Sequence, residues 1–237
     1  METAKLKNLA KSQMKGKTSI LIFSNLIFSI LTMIIPITQL ISNNELNSIT
    51  KFIIMTIVQP LFLGIAYIHY NCTIEGRNVG ILDLFYGYKV KLFRQGIVYI
   101  VRTFITYLMT SSLVTLTTTI IMIIKPNQAL IPIIMAIIIF IPSFILQTYL
   151  SQIYYIMVCN EELKGTEVLR DSMLMMRGRL GEYIILTLSF IPWLILDIFT
   201  FKLASIWINP YKNQTLANYH HIVKNAYYSD SNKNIIA

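Results

Sequence analysis

Apolar positions in this chain run in long blocks rather than at strand or amphipathic-helix spacing. Thr18 to Ser42, Phe52 to Asn71, Ile97 to Ile124 and Ala129 to Val158 are almost free of charge. A hydrocarbon core about 30 Å thick is crossed by roughly 20 apolar residues in a helix, so each block predicts a spanning helix. A further apolar region, Tyr183 to Asn209, is interrupted by Asp197 and Lys202 and predicts two short helices meeting at a turn. The pattern therefore predicts about six helices in three hairpins, over 18–71, 97–158 and 183–210.

Between the blocks lie shorter stretches of a different kind. In residues 1–17, Leu6, Leu9, Ala10 and Met14 recur at helical spacing among Lys5, Lys7, Lys11 and Lys15, and the run closes at Gly16. Leu169, Ser172, Met173 and Met176 recur in the same way beside Arg170 and Arg177, closing at Gly178. Aligned on their glycines, Met14-Lys15-Gly16-Lys17 faces Met176-Arg177-Gly178-Arg179. A weaker third copy, LDLFYGYKVKLFRQG, closes on Arg94-Gln95-Gly96. Each predicts a basic amphipathic helix lying at the membrane interface, with glycine permitting the turn into the hairpin that follows.

Composition fits an all-α transmembrane fold. Hydrophobic residues make up 55% of the chain and charged residues 13%, with a mean hydropathy of +0.60. Little is left for a water-soluble domain, so residues 1–237 read as one polytopic membrane domain with 211–237 as a tail. The first apolar run is longer than the core of a secretory signal and lacks a small-residue cleavage site after it, so it reads as a retained helix. Charge sets the orientation. Sixteen of the 20 basic residues fall on one side of the predicted hairpins, including Lys5, Arg77, Lys91, Arg170 and Lys233, against Lys51, Lys125 and Lys202 on the other. Basic flanks stay in the cytoplasm, which predicts a multi-pass membrane protein with both termini cytoplasmic. The net charge of +9 is then directed at anionic lipid, and no nucleic-acid-binding motif accompanies it.

The region LRDSMLMMRGRLGEYIILTLSFIPWLILDIFTFKLASIWINPYKNQTLANYHHIV resembles the closing part of a family of bacterial integral membrane proteins catalogued as domain of unknown function 975. The elements that carry the resemblance are Ser172 to Gly178, Leu188 to Trp193, Pro210-Tyr211 and Thr215 to Tyr219. LKNLAKSQMKG and LFYGYKVKLF extend it over most of the chain. Between its last two helices the family usually carries a glycine-containing turn, whereas this chain has Thr200-Phe201-Lys202-Leu203-Ala204. The resemblance implies a polytopic cytoplasmic-membrane protein and brings no activity or catalytic residues.

Candidate chemistry is sparse. Arg102 lies inside a predicted span but six residues from Gly96, within snorkelling reach of the headgroups. Asn25, Gln59, Gln147 and Gln152 either line a path or join helices by hydrogen bonds. Pro36, Pro60, Pro132, Pro142, Pro192 and Pro210 predict kinks, and Trp193 and Tyr211 beside two of them read as interfacial anchors. His69 reads as interfacial too. Two cysteines and three histidines without ligand spacing propose neither disulfide, metal nor cofactor, and no Walker loop, nucleophile elbow or zinc-protease helix is present. The sequence thus points to a non-enzymatic envelope protein that meets anionic lipid, another membrane protein or itself through Lys11, Lys15, Lys17, Arg94, Arg177 and Arg179. The alternative is a small permease or an accessory subunit of a transporter, with a path near Gln59, Arg102, Gln147 and Pro192.

Overall fold

The computed structural model describes residues 3–32, 48–90, 92–124 and 130–236, and no strand occurs among them. Helix α1 (Thr3–Met14) leads to α2 (Thr18–Thr32) and α3 (Ser48–Thr73), then to a 3₁₀ turn (Ile81–Phe85) and the short α4 (Tyr86–Lys89). The long α5 (Leu92–Ile124) follows, then α6 (Ile131–Tyr149), α7 (Ile153–Cys159) and α8 (Gly165–Met176). Helices α9 (Leu180–Leu188), α10 (Ile191–Phe199) and α11 (Ser205–Ile236) complete the bundle. The far part of the expected first span, residues 33–42 with Pro36, and also Lys91 and Lys125, lie outside the described residues.

Among the described residues, three helical stretches are long and apolar enough to cross a membrane: α5, α6 with α7 (29 residues), and α9 with α10 (20 residues). Helices α1 and α2 would add a fourth if taken as one broken span, but they bend by 103° at their junction. The described residues thus account for three or four of the six expected spans. The most apolar windows of the three stretches are only 6%, 6% and 17% buried. Their apolar side chains, Phe104, Ile137 and Ile198 among them, point outward. So large an outward apolar surface calls for lipid or a protein neighbour rather than water.

Helix α3 runs through the interior instead. Leu61, Leu63, Ile65, Ala66 and Ile68 are all buried, so its second half meets other helices on most sides. Backbones come very close here. A Cβ on Gly64 would stand 1.8 Å from the Leu84 carbonyl oxygen, and one on Gly87 2.2 Å from that of Pro60, which seats the 3₁₀ turn and α4 along α3. The main core joins α1, α3, α5, α7, α8, α9 and α11 through residues such as Leu6, Leu63, Val98, Met157, Met176, Leu186 and Tyr219.

The glycine alignment has a counterpart in backbone geometry. Gly16 and Gly178 both have φ +79°. Around them the same hydrogen bonds recur. Lys15 N–H reaches Ser12 O and Arg177 N–H reaches Leu174 O, both at 3.2 Å, while Lys17 N–H to Met14 O and Arg179 N–H to Met176 O are both 3.0 Å. The third expected copy differs: Gly96 lies inside α5, and the turn comes earlier, at Val90 with φ −112° and ψ 117°. A helix runs through glycine at a cost of only about 1 kcal/mol when its neighbours favour continuation.

The amphipathic stretches bury part of their apolar faces inside the bundle. Leu6 and Ala10 of α1 are buried against its principal neighbour α11, and α8 buries Val168, Leu169, Met175 and Met176. Protein thus covers these residues, while Leu9 of the same stretch stays exposed; of the lysines of α1, Lys5 and Lys11 are exposed and Lys7 is partly buried. The expected turn between the last two helices is present at Thr200–Ala204. Phe201 and Lys202 take positive φ values of 50° and 69° where glycine would be unstrained. The Lys202 ammonium pairs with the buried Asp197 carboxylate at 3.2 Å and holds the turn.

Candidate functional site

Buried polar side chains fix how the helices cross. His69 of α3, expected at an interface, is fully buried; its Nδ1–H donates to Gln214 Oε1 at 3.2 Å and its Nε2 accepts from Asn25 Nδ2 at 2.8 Å. Asn25 Oδ1 accepts from Asn213 Nδ2 at 2.7 Å, and Gln214 Nε2 donates to Thr73 Oγ1 and to Gln13 Oε1. His220 repeats the arrangement. Its Nδ1–H donates to Gln152 Oε1 at 3.0 Å, and its Nε2 faces the Cys159 thiol at 3.7 Å. Each ring uses one nitrogen as donor and the other as acceptor, which is the neutral form. These groups join α2, α3, α7 and α11 and are consumed by one another, so Asn25 and Gln152 act as the interhelical links the sequence suggested. Among the described residues, no group of three or more His, Cys, Asp or Glu gathers as a metal site would require.

With α1 held against α11, a lysine of α1 and another in the turn after it share a groove with two tryptophans. Lys11 and Lys15, one turn apart and exposed, line a groove of about 350 Å³ with Trp193 of α10 and Trp207 and Tyr211 of α11. Pro192 takes the second position of α10, where its missing N–H is no loss, and Trp193 follows it in the first turn of that helix. Pro192 itself is exposed and lines neither this groove nor the pocket described below. One turn before Lys11, Lys7 donates to the Ser189 carbonyl at 2.7 Å and lies 4.2 Å above the Phe190 ring. Partial burial there lowers its ammonium from the ordinary lysine range.

The other basic candidates have different roles. Arg94, expected to face lipid, is buried. Its Nη1 donates to the carbonyls of Asn160 and Glu161 at 2.8 and 2.7 Å, and its Nη2 to that of Met157 at 2.9 Å. It therefore caps the end of α7, where carbonyls lack helical partners and the helix dipole favours a cation. Lys17 likewise donates to the Cys72 carbonyl at the end of α3. Arg177 is exposed and Arg179 half-buried, and neither lines the lysine–tryptophan groove.

A second concavity, of about 470 Å³, opens on α5 and brings together Gln59, Arg102 and Gln147, three of the four residues proposed for a path. Arg102 is tied to its neighbours within this pocket. Its Nη2 donates to Gln147 Oε1 at 2.6 Å and its Nη1 to the Tyr154 hydroxyl at 3.3 Å. Tyr154 in turn donates to Gln59 Oε1 at 2.5 Å. Two neutral acceptors thus hold the guanidinium in place.

Sequence reasoning missed Trp207 and Tyr154 as site residues. The habit of tryptophan to sit at membrane boundaries was a usable signal for Trp207, whereas nothing local marks Tyr154. No curated protein and no solved structure matches the chain. The family model described as a protein of unknown function, DUF975, matches residues 1–227, and the chain belongs to that family.

Proposed function

We propose that this is a multi-pass protein of the bacterial cell membrane, with both termini cytoplasmic, that binds anionic lipid at the groove of Lys11, Lys15, Trp193, Trp207 and Tyr211 and has no catalysis of its own. The observation that carries this reading is the meeting of two exposed, adjacent ammonium groups with two tryptophans in one concavity. Ammonium groups attract lipid phosphates, and indoles favour headgroup depth, so the groove matches both parts of an anionic headgroup region. The one-sided distribution of basic residues supports the orientation.

Native mass spectrometry from nanodiscs made with host lipids tests it. Each ammonium near anionic lipid contributes about 1 kcal/mol, so Lys11→Glu/Lys15→Glu is expected to weaken retention of anionic lipid by about 30-fold or more, with helicity unchanged in circular dichroism. Unchanged lipid retention overturns the reading, and a retained second protein, lost in the same variant, would replace lipid with a membrane partner. A second reading, a small permease or transporter subunit, is favoured by the polar pocket at Arg102 on a helix of spanning length. Liposomes carrying the protein would then pass a solute that empty liposomes retain, and equal leakage counts against it.

A further inference from the structure

The pocket on α5 has a charge to place. Arg102 donates to two neutral acceptors, Gln147 and Tyr154, which engage two of the five N–H groups of a guanidinium. No carboxylate stands within ion-pair distance of it among the described residues. It lies six residues, about 9 Å of helix, beyond Gly96 in a stretch apolar enough to span a membrane. A cation there without an anionic partner is costly.

The rest of the wall is neutral. Thr106 and Thr110 follow Arg102 at four-residue intervals on the same face of α5. Their hydroxyls donate to their own helix, to Arg102 O at 2.9 Å and to Thr106 O at 2.8 Å. They therefore offer methyl groups and lone pairs to the pocket but no donors. At about 470 Å³ the space exceeds what one small anion fills and falls within the range of organic ligands.

We infer that this pocket binds the singly charged oxyanion of a phosphodiester or carboxylate, held at Arg102, with an uncharged, weakly polar remainder lying along Thr106 and Thr110. One guanidinium balances one negative charge, so a singly charged group matches and a phosphomonoester dianion leaves an excess. The ligand is the headgroup of a membrane lipid or a free monoanion of the same chemistry. The inference supplies the second reading with a ligand class but concerns binding alone, and holds whether or not the ligand crosses the membrane.

The test uses the full chain in phosphatidylcholine nanodiscs, in a Lys11→Gln/Lys15→Gln background that silences the groove. Thermal unfolding is followed with dihexanoylphosphatidylglycerol and, separately, with dimethyl phosphate, since a ligand bound only to the folded state raises the midpoint with its concentration. Phosphatidylglycerol is expected to raise the midpoint, and Arg102→Gln to weaken its apparent affinity about tenfold or more, as loss of a charged hydrogen-bond partner does. Thr106→Phe, which fills the pocket but leaves the guanidinium bonds of Arg102 to Gln147 and Tyr154 in place, is expected to do the same and serves if Arg102→Gln does not fold. A response to the lipid alone assigns a headgroup, and an equal response to dimethyl phosphate assigns a free anion. No response to either probe, or a response that survives both substitutions, overturns the inference. So does a second copy of the chain, found by native mass spectrometry and lost with Thr106→Phe.

Discussion

Helix α1 with its Gly16 turn and helix α8 with its Gly178 turn share a backbone yet sit in different surroundings. The two glycines have the same φ, and the hydrogen bonds beside them agree to within 0.1 Å. Their side chains diverge. Met176 is fully buried, whereas its counterpart Met14 is only half-buried and lines the lysine–tryptophan groove. Lys15 also lines that groove, while its counterpart Arg177 is exposed outside it. The turn is written locally, by a residue free to take a left-handed conformation, and its use is decided by what packs against the helix before it.

The largest expected difference lies in the methionines. Met176→Ala leaves a cavity in the main core and should cost about 2–5 kcal/mol, whereas Met14→Ala should cost less than half as much, because the half-open site can relax. Chemical denaturation of the two variants in the same detergent checks this, and equal losses would make the two surroundings equivalent. Next come the charges. Arg177→Glu/Arg179→Glu should change anionic-lipid retention far less than the reversal at Lys11 and Lys15, read in the same nanodisc measurement. The turns themselves should respond alike and least. Gly16→Ala and Gly178→Ala are each expected to cost about 1–2 kcal/mol, and Phe201→Gly to relieve a similar strain, in thermal unfolding. A marked difference between the two glycines would break the likeness of their turns.

Much of this was legible. The apolar runs that became α5 and α6 announced themselves by length, and the paired glycines by the basic helices before them. Gly96 misled because a glycine alone does not end a helix; in α5 the residues on both sides continue it. Arg94 and His69 misled for a different reason. A buried cation and a buried imidazole need partners, and theirs are the carbonyls after Met157 and the amide of Gln214, far along the chain. The gathering of Gln59, Arg102 and Gln147 was reached by treating intramembrane polar groups as candidates, but the bond to Tyr154 that orients the arginine had no sequence signal. The groove is the extreme case, since Lys11 and Trp207 meet only because α1 lies on α11.

That packing bears on the order of assembly. Helix α1 leaves the ribosome long before α11 is made. With roughly 200 residues between them and synthesis at about 5–20 residues per second, Leu6 and Ala10 wait on the order of 10–40 s for the surface that covers them. During that wait Leu6 and Ala10 have the membrane surface or a chaperone to rest on, with the lysines of α1 for a tether, until the last helix arrives to cover them.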